Sequence, residues 1–586
     1  MTTISPAPFP ENGVRILSPK ETMQRAKALA CTVSTAHLPT CSGQVFVGIF
    51  FDGTGNNMRT DYDLLSADKR KHTNIVKLFQ AFKDESPRGY FRVYLPGVGT
   101  PFPEIGDTNR YTWKNWGSVA AERGEHRIIW AFTQLLNAPH QYVFGNAPLI
   151  PDALAKTIIN SLASTLEFSV TRRLVMSTWQ EKLKDTLTGN KPTVEQINVS
   201  VFGFSRGAAE ARAFVNWLFE VCNKEGGGWT FAGIPIRVQF LGLFDTVASV
   251  GLANLYDNGL LNGHQSWADN NLEIHPAVEQ CVHFVAGHEV RACFPADSVR
   301  VKFSYPGNAM EVMYPGAHSD VGGGYAPGAI GISPAQDSFL AIIPGANMFH
   351  EARKAGVPLL EWAALDDAVQ RAFTPSPSVV RDFNAYLGAA KIGAGAIEDL
   401  GRKHMSLYFS YRFKHLNSFD YYRTSPYASS SRTDQSYLYT TQRSFFMQLW
   451  KLRELMLAHE PQFAKIWPFQ QRYGSLLDSA SRSWDEFRAT PSTLENSFNL
   501  AWNYGPGMLV AMVKAPFALA QKRNSMEHAF EVAQHIHVEA VTPEVETFFD
   551  RYIHDSVAGF MAMGMDEYAF NGIGITKFRT VYKGNA

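Results

Sequence analysis

Three residue types that together can build a hydrolytic nucleophile occur here in a set order: Ser205, then Asp245, then His318. A serine hydroxyl alone stays protonated at neutral pH and attacks poorly. An imidazole titrating near neutrality can take that proton, and a carboxylate can hold the ring in the right tautomer and stabilise the imidazolium. Ser205 lies in Gly203-Phe204-Ser205-Arg206-Gly207, a G-x-S-x-G sequence. An apolar, partly β-branched run precedes it, and an Ala-rich stretch with helical spacing follows. Strand, tight turn and helix in that order make a nucleophile elbow. The glycines have a steric reason: a side chain two residues either side of a serine on so sharp a turn would meet the neighbouring strand or helix. The turn also aims the first N–H groups of the helix, that of Arg206 included, at whatever the serine attacks. The bland alternative is a serine that only caps a helix; a base and an acid in the right order decide against it.

Both are present, each after a strand-like segment. Residues 236–244 (IRVQFLGLF) read as a strand ending at Asp245, and acids at the carboxyl ends of parallel strands are where α/β sheets place functional groups. Residues 311–314 (EVMY) feed a glycine-rich loop that carries His318. Ser, then Asp, then His is the chain order of α/β-hydrolases. Two rivals exist. Asp320 could orient His318, although residues two apart seldom face each other, and His554-Asp555 is a second histidine–acid pair. His275, His283, His288 and Glu289 are placed on a helix after Pro276; their spacing does not match H-E-x-x-H, so no metal site is expected.

The elements that must position these residues begin with 45–51 (VFVGIFF), a near-continuous apolar run suited to a central parallel strand. It ends in Asp52-Gly53-Thr54-Gly55-Asn56-Asn57, which has neither the Gly-Lys-Ser/Thr of a P-loop nor G-x-G-x-x-G. In a hydrolase such a loop lends the second oxyanion-hole N–H, and Gly53 and Thr54 are the candidates. Asp52 could meet a cation or brace that loop, and Arg206 could meet a phosphate or a carboxylate; the residues alone leave both open. The periodicity predicts helices over 20–30, 73–82 and 120–136 and a strand over 90–95. Residues 1–43 read as a poorly packed arm, a docking segment or a plain disordered terminus. Residues 44–345 read as the α/β-hydrolase-like catalytic domain, mostly parallel in its sheet, with a helical insertion around 139–192 that is either a lid or ordinary sheet-covering structure. Residues 346–586 read as mainly helical, a cap or a membrane-contacting module. Within them 507–521 (GMLVAMVKAPFALAQ), broken by Lys514 and Pro516, suits a kinked core helix or an interfacial one.

Composition narrows the class. Lys+Arg and Asp+Glu balance at 54 each, so no global field favours nucleic acid. Five scattered cysteines build no disulfide framework and no C-x-x-C zinc pair. The first residues lack a basic region followed by an apolar core, so no Sec signal peptide is expected, and no apolar run is long enough to span a bilayer. A chain made as a soluble cytoplasmic protein follows.

Four ordered motifs, FFDGTGNN (50–57), GFSRGAAEAR (203–212), LGLFDTVASVG (241–251) and YPGAHSDVGGGY (314–325), together resemble the first class of type VI secretion lipase effectors, with YIHDSVAGF (552–560) similar to that family's tail. The resemblance spans roughly 45–325 and that patch. It implies a phospholipase A-type ester hydrolase with Ser205, Asp245 and His318 as its triad and no cofactor; calcium dependence is left open. It further implies loading onto a secretion spike protein, delivery into the periplasm of rival bacteria to degrade membrane phospholipid, and a periplasmic immunity protein in the producer. Two other readings stand beside it: a cytoplasmic serine esterase on a soluble substrate, and a non-catalytic hydrolase-like scaffold.

Overall fold

The computed structural model describes residues 2–30, 41–108, 123–162, 169–248, 266–268, 271–291, 294–302, 304–457, 471–480, 528–562, 565–566 and 576–582. One sheet organises them. Its strands are β1 (Thr3–Ile4), β2 (Ser42–Phe51), β3 (Tyr90–Leu95), β4 (Thr193–Phe204), β5 (Asn223–Glu225), β6 (Gly228–Phe231), β7 (Ile234–Phe244), β8 (Cys281–Ala286), β10 (Ala309–Tyr314) and β11 (Ala394–Gly395), with β9 (Ala296–Asp297) outside it. The spatial order is β11-β1-β10-β8-β7-β4-β2-β3. Every neighbouring pair from β1 through β3 in that row is parallel. Only β11 on β1 and the β5–β6 hairpin against β7 run antiparallel. This is the mostly parallel α/β fold that the apolar runs implied.

Successive side chains of a strand point to opposite faces, and here both faces are covered. Phe50, Phe202, Phe244 and Val282 enter one apolar cluster, whereas Ile49, Phe51, Val201 and Leu243 enter the other. The second cluster also receives Ile129, Phe132, Ala155, Ile159, Met176 and Leu183, from helices Gly124–Phe144, Asp152–Leu162 and Ser169–Leu187. The described helices of the segment before the elbow therefore cover one face of the sheet. The first cluster takes Phe383, Phe409, Phe445 and Phe548 from helices of the second half of the chain, so strands and later helices share one core. The 507–521 segment lies outside the described residues.

Two expectations are corrected. Residues 281–286 are a fully buried central strand, not part of a helix. His283 sits in it because Glu311 Oε2 lies 3.1 Å from its Nδ1 and Thr246 N–H donates to its Nε2 (3.1 Å). His275 is met by the Ala277 N–H and stacks on Phe219. The first residues of the N-terminal segment are not loosely packed: Ile4 pairs with Val312 and Ala394, Thr3 donates to Glu311, and Phe9 is buried, whereas helix Pro19–Ala30 buries no residue. Among the described residues no helix is long and apolar enough to cross a membrane.

Candidate active site

Ser205, Asp245 and His318 each follow a parallel strand, β4, β7 and β10 respectively, at the carboxyl edge. Ser205 holds φ 59°, ψ −126° at the start of helix Arg206–Val221, a backbone region that non-glycine residues rarely occupy. The glycines around it do what their positions require. A Cβ on Gly203 would lie 2.5 Å from Ala208 Cα, and one on Gly207 would lie 2.4 Å from the Asp52 carbonyl oxygen. Ser205 N–H donates to the Phe244 carbonyl (3.0 Å), and Val247 N–H donates back to the Ser205 carbonyl (3.3 Å), which ties the elbow to the end of β7.

Asp245, itself at φ 39°, is completely buried. Its Oδ2 lies 2.5 Å from His318 Nδ1, and its Oδ1 accepts from Ala286 N–H (2.9 Å). His318 opens a short helical turn, His318–Gly322, instead of lying in open loop, and its ring packs on Phe204 (4.6 Å between centroids), the residue before the nucleophile. With Nδ1 committed to the carboxylate, Nε2 is the nitrogen left to serve as base. Ser205 Oγ and His318 form no direct hydrogen bond; in catalytic sites such contacts often tighten only in the substrate complex. Burial favours the neutral form of His318 and pulls its pKa below the ordinary imidazole value, against the opposing pull of Asp245. Burial by itself would raise the Asp245 carboxyl, but Arg579 and His318 hold it well below the usual range.

Arg579 is the participant that sequence reasoning missed. Val581–Tyr582 pair in parallel with β9, and this return of the chain end brings Arg579 to Asp245 with two bonds of 2.8 Å, one to each carboxylate oxygen. Its Nε donates to the Phe294 carbonyl (2.7 Å). Both partners are buried, with side-chain exposures of 8% and 0%. Breaking such a pair leaves an uncompensated charge, so Arg579→Met is expected to cost about 3–5 kcal/mol of stability. Urea unfolding checks this, and adding Asp245→Asn should return part of the loss.

Glu289 is a second missed neighbour. It accepts from His318 N–H (3.1 Å) and from Ser556 Oγ (2.9 Å) while pairing with Arg291. Burial opposes its ionisation, yet Arg291, Arg579 and His318 lower its pKa to about 2. The rival acid and base pair with each other: His554 Nδ1 lies 2.6 Å from Asp320 Oδ1, and Tyr325 stacks on the His554 ring at 3.7 Å. Asp320 also accepts from Ala317 N–H (3.0 Å), which fixes the turn before His318. His288 accepts from Gly316 N–H (2.9 Å) on the same turn.

The loop after β2 is braced by Asp52, which accepts from Tyr94 OH (2.6 Å), Thr73 Oγ1 (2.7 Å) and Gly53 N–H (2.8 Å). Burial raises its pKa to about 6 despite those donors. In the last of these bonds Gly53 N–H is engaged by the neighbouring carboxylate; Gly53 and Thr54 are the loop's two candidate oxyanion donors. Arg206 Nε donates to Thr54 Oγ1 (2.6 Å), so this guanidinium faces the loop hydroxyl.

One turn into the elbow helix, Glu210 is buried and its Oε1 has no hydrogen-bond partner among the described residues. Burial raises its pKa to about 8, with Arg127 and Arg206 opposing. A carboxyl whose folded pKa is raised contributes stability below its unfolded value and loses it as pH climbs toward the folded one. Glu210→Gln is therefore expected to match wild type near pH 4 and become progressively the more stable up to about pH 8. Urea midpoints across that range measure it.

A parallel sheet carrying serine, acid and histidine on its carboxyl edge, with the serine on a glycine-flanked strand-to-helix turn, defines an α/β-hydrolase arrangement. The family described as type VI secretion (T6SS) phospholipase effector, Tle1-like, catalytic domain, matches residues 47–226 and 222–351, more than half of the chain, and the chain belongs to it. No curated protein sequence matches it. The crystal structure of an uncharacterized Pseudomonas aeruginosa protein is similar over 99% of this chain and 84% of that one, with 22% identity and a TM-score of 0.71, and shares the fold. A Tle1 effector bound to the VgrG spike of the type 6 secretion system aligns over 50% of this chain and 56% of that one, with 22% identity and a TM-score of 0.29.

Proposed function

We propose that this phospholipase effector cleaves carboxylic esters of membrane phospholipids in the phospholipase A manner, with Ser205 as nucleophile, His318 as general base and acid, and Asp245 as the residue that orients the imidazole. The observation that carries the reading is the buried 2.5 Å contact between His318 Nδ1 and Asp245 Oδ2 beside the elbow. Nε2 takes the Ser205 proton as Oγ attacks the acyl carbonyl. The oxyanion then faces backbone N–H groups at the helix start and at Gly53 or Thr54, each such donor typically contributing roughly 3–4 kcal/mol. His318 returns the proton to the departing lysophospholipid alkoxide, and water, deprotonated by the same nitrogen, releases the fatty acid. Antibacterial delivery into a rival's periplasm, carriage by a spike protein and protection of the producer by an immunity protein extend the same proposal.

The test incubates the purified chain with unilamellar phospholipid vesicles and resolves the products. Equimolar fatty acid and lysophospholipid are expected. Release of diacylglycerol or of a phosphorylated headgroup would replace ester cleavage by phosphodiester cleavage, and hydrolysis of short-chain soluble esters alone would keep the triad and discard the lipid.

A further inference from the structure

A cavity of about 500 Å³ shares a wall with the turn that follows His318, through Ser319, Asp320 and Gly323, yet neither Ser205 nor His318 lines it. Its volume is that of an ordinary small-molecule site. Its lining also carries several basic side chains. Lys77, on helix Asn74–Ala81, lines it at 7% exposure, and its ammonium has no hydrogen bond or ion pair among the described residues. Burial, with no carboxylate to offset it, lowers this lysine's pKa to about 7. Arg70 lies 3.9 Å over the Tyr62 ring with its Nε buried and unpartnered. His72, edge-on to Tyr62, has both ring nitrogens buried without partners. Arg371 adds a further positive charge on the lining.

A helix position facing a core would be cheaper as methionine or leucine than as an unpaired lysine. Nitrogens on three side chains around one cavity lack hydrogen-bond acceptors among the described residues, and the lining supplies few. Asp320 is committed to His554 and to backbone N–H groups, and Asp337 is exposed. We propose that the cavity binds a phosphate-bearing anion, with Lys77 as its buried contact and Arg70 and His72 completing the cradle. A tetrahedral phosphate offers acceptor oxygens in several directions, which suits donors carried on separate segments better than a planar carboxylate does. The site has a mechanical link to the ester-cleaving edge, because Thr73, beside His72 and capping the Lys77 helix, donates to Asp52, which holds Gly53. Phosphate can arrive as a lipid headgroup or as the free ion; only the headgroup source rests on the phospholipase reading.

The experiment is calorimetric titration of the full chain with inorganic phosphate and, separately, with sn-glycero-3-phosphoethanolamine, which has no acyl ester to cleave. Sodium chloride of matched ionic strength is the blank, and Lys77→Met and Arg70→Gln are the variants. Wild type is expected to bind at least one probe, and each variant to weaken that binding tenfold or more. Lys77→Met should also raise the Tm without ligand, because it removes a buried unpaired amine. Tighter binding of the diester assigns the cavity to a headgroup, and equal or tighter binding of the free ion assigns it to inorganic phosphate. Failure of wild type to bind either probe, or unchanged binding in a folded Arg70→Gln or Lys77→Met protein, overturns the proposal. Binding is read without turnover. A chain that hydrolyses phospholipid and binds neither probe loses this site alone, and one that binds phosphate but hydrolyses no lipid loses only the phospholipase A reading.

Discussion

Ser205→Ala is expected to lower kcat on phospholipid or soluble ester by roughly 10⁶-fold, the scale seen when the nucleophile of a serine triad is removed. Folding should be unaffected. Alanine keeps the Cβ that already tolerates φ 59° at this position, and the lost hydroxyl leaves no protein group unsatisfied, since it makes no hydrogen bond among the described residues. The contacts that force the turn belong to Gly203 and Gly207 and persist. Single-turnover rates, with circular dichroism and a thermal midpoint to establish folding, make the comparison. Activity within tenfold of wild type in a folded variant would remove Ser205 from the mechanism.

Asp245→Asn is expected to lower kcat by about 10⁴-fold, the usual result of amidating a triad acid. The amide cannot stabilise the imidazolium, and it offers an N–H as readily as an oxygen to Nδ1, so the wrong tautomer is populated. Some stability should also be lost, because Arg579 keeps its charge and loses its ionic partner and one of its two 2.8 Å acceptors. The informative partner is Asp320→Asn. Both acids are buried and both hold a histidine, at 2.5 Å for Asp245 and 2.6 Å for Asp320. If Asp320→Asn abolished turnover while Asp245→Asn spared it, the acid's role would pass to the Asp320–His554 pair. The acid limb of the pH profile of kcat/KM is a further check. With His318 lowered by burial, its midpoint should fall below the ordinary imidazole value in wild type.

Much of the architecture was legible from local signals. Apolar runs ending in small or acidic residues marked β2, β4, β7 and β10, and Thr73 caps the helix that the periodicity of 73–82 implied. The order of Ser205, Asp245 and His318 along the chain needed only the knowledge that functional groups sit at strand ends. β8 was misread for a physical reason. Two histidines and a glutamate within 281–289 look polar for a buried strand, and the group that makes His283 tolerable there, Glu311, lies 28 positions away. The start of the N-terminal arm was misread likewise, since Thr3 finds its partner in Glu311 across 308 positions.

What this sequence determined by itself is whatever depends on neighbours along the chain: the alternation that sends Ile49 and Phe50 to opposite cores, and the tight turn around Ser205 that Gly203 and Gly207 permit. Tertiary structure alone decided the electrostatics. Arg579 meets Asp245 across 334 positions, His554 meets Asp320 across 234, and Lys77 has no polar partner among the described residues beside a cavity lined by several distant segments. Backbone sterics and side-chain periodicity act over a few residues and leave a pattern in the order of amino acids. Charge pairing and desolvation depend on distance through space, and one sequence carries no record of which buried charges the fold will bring together.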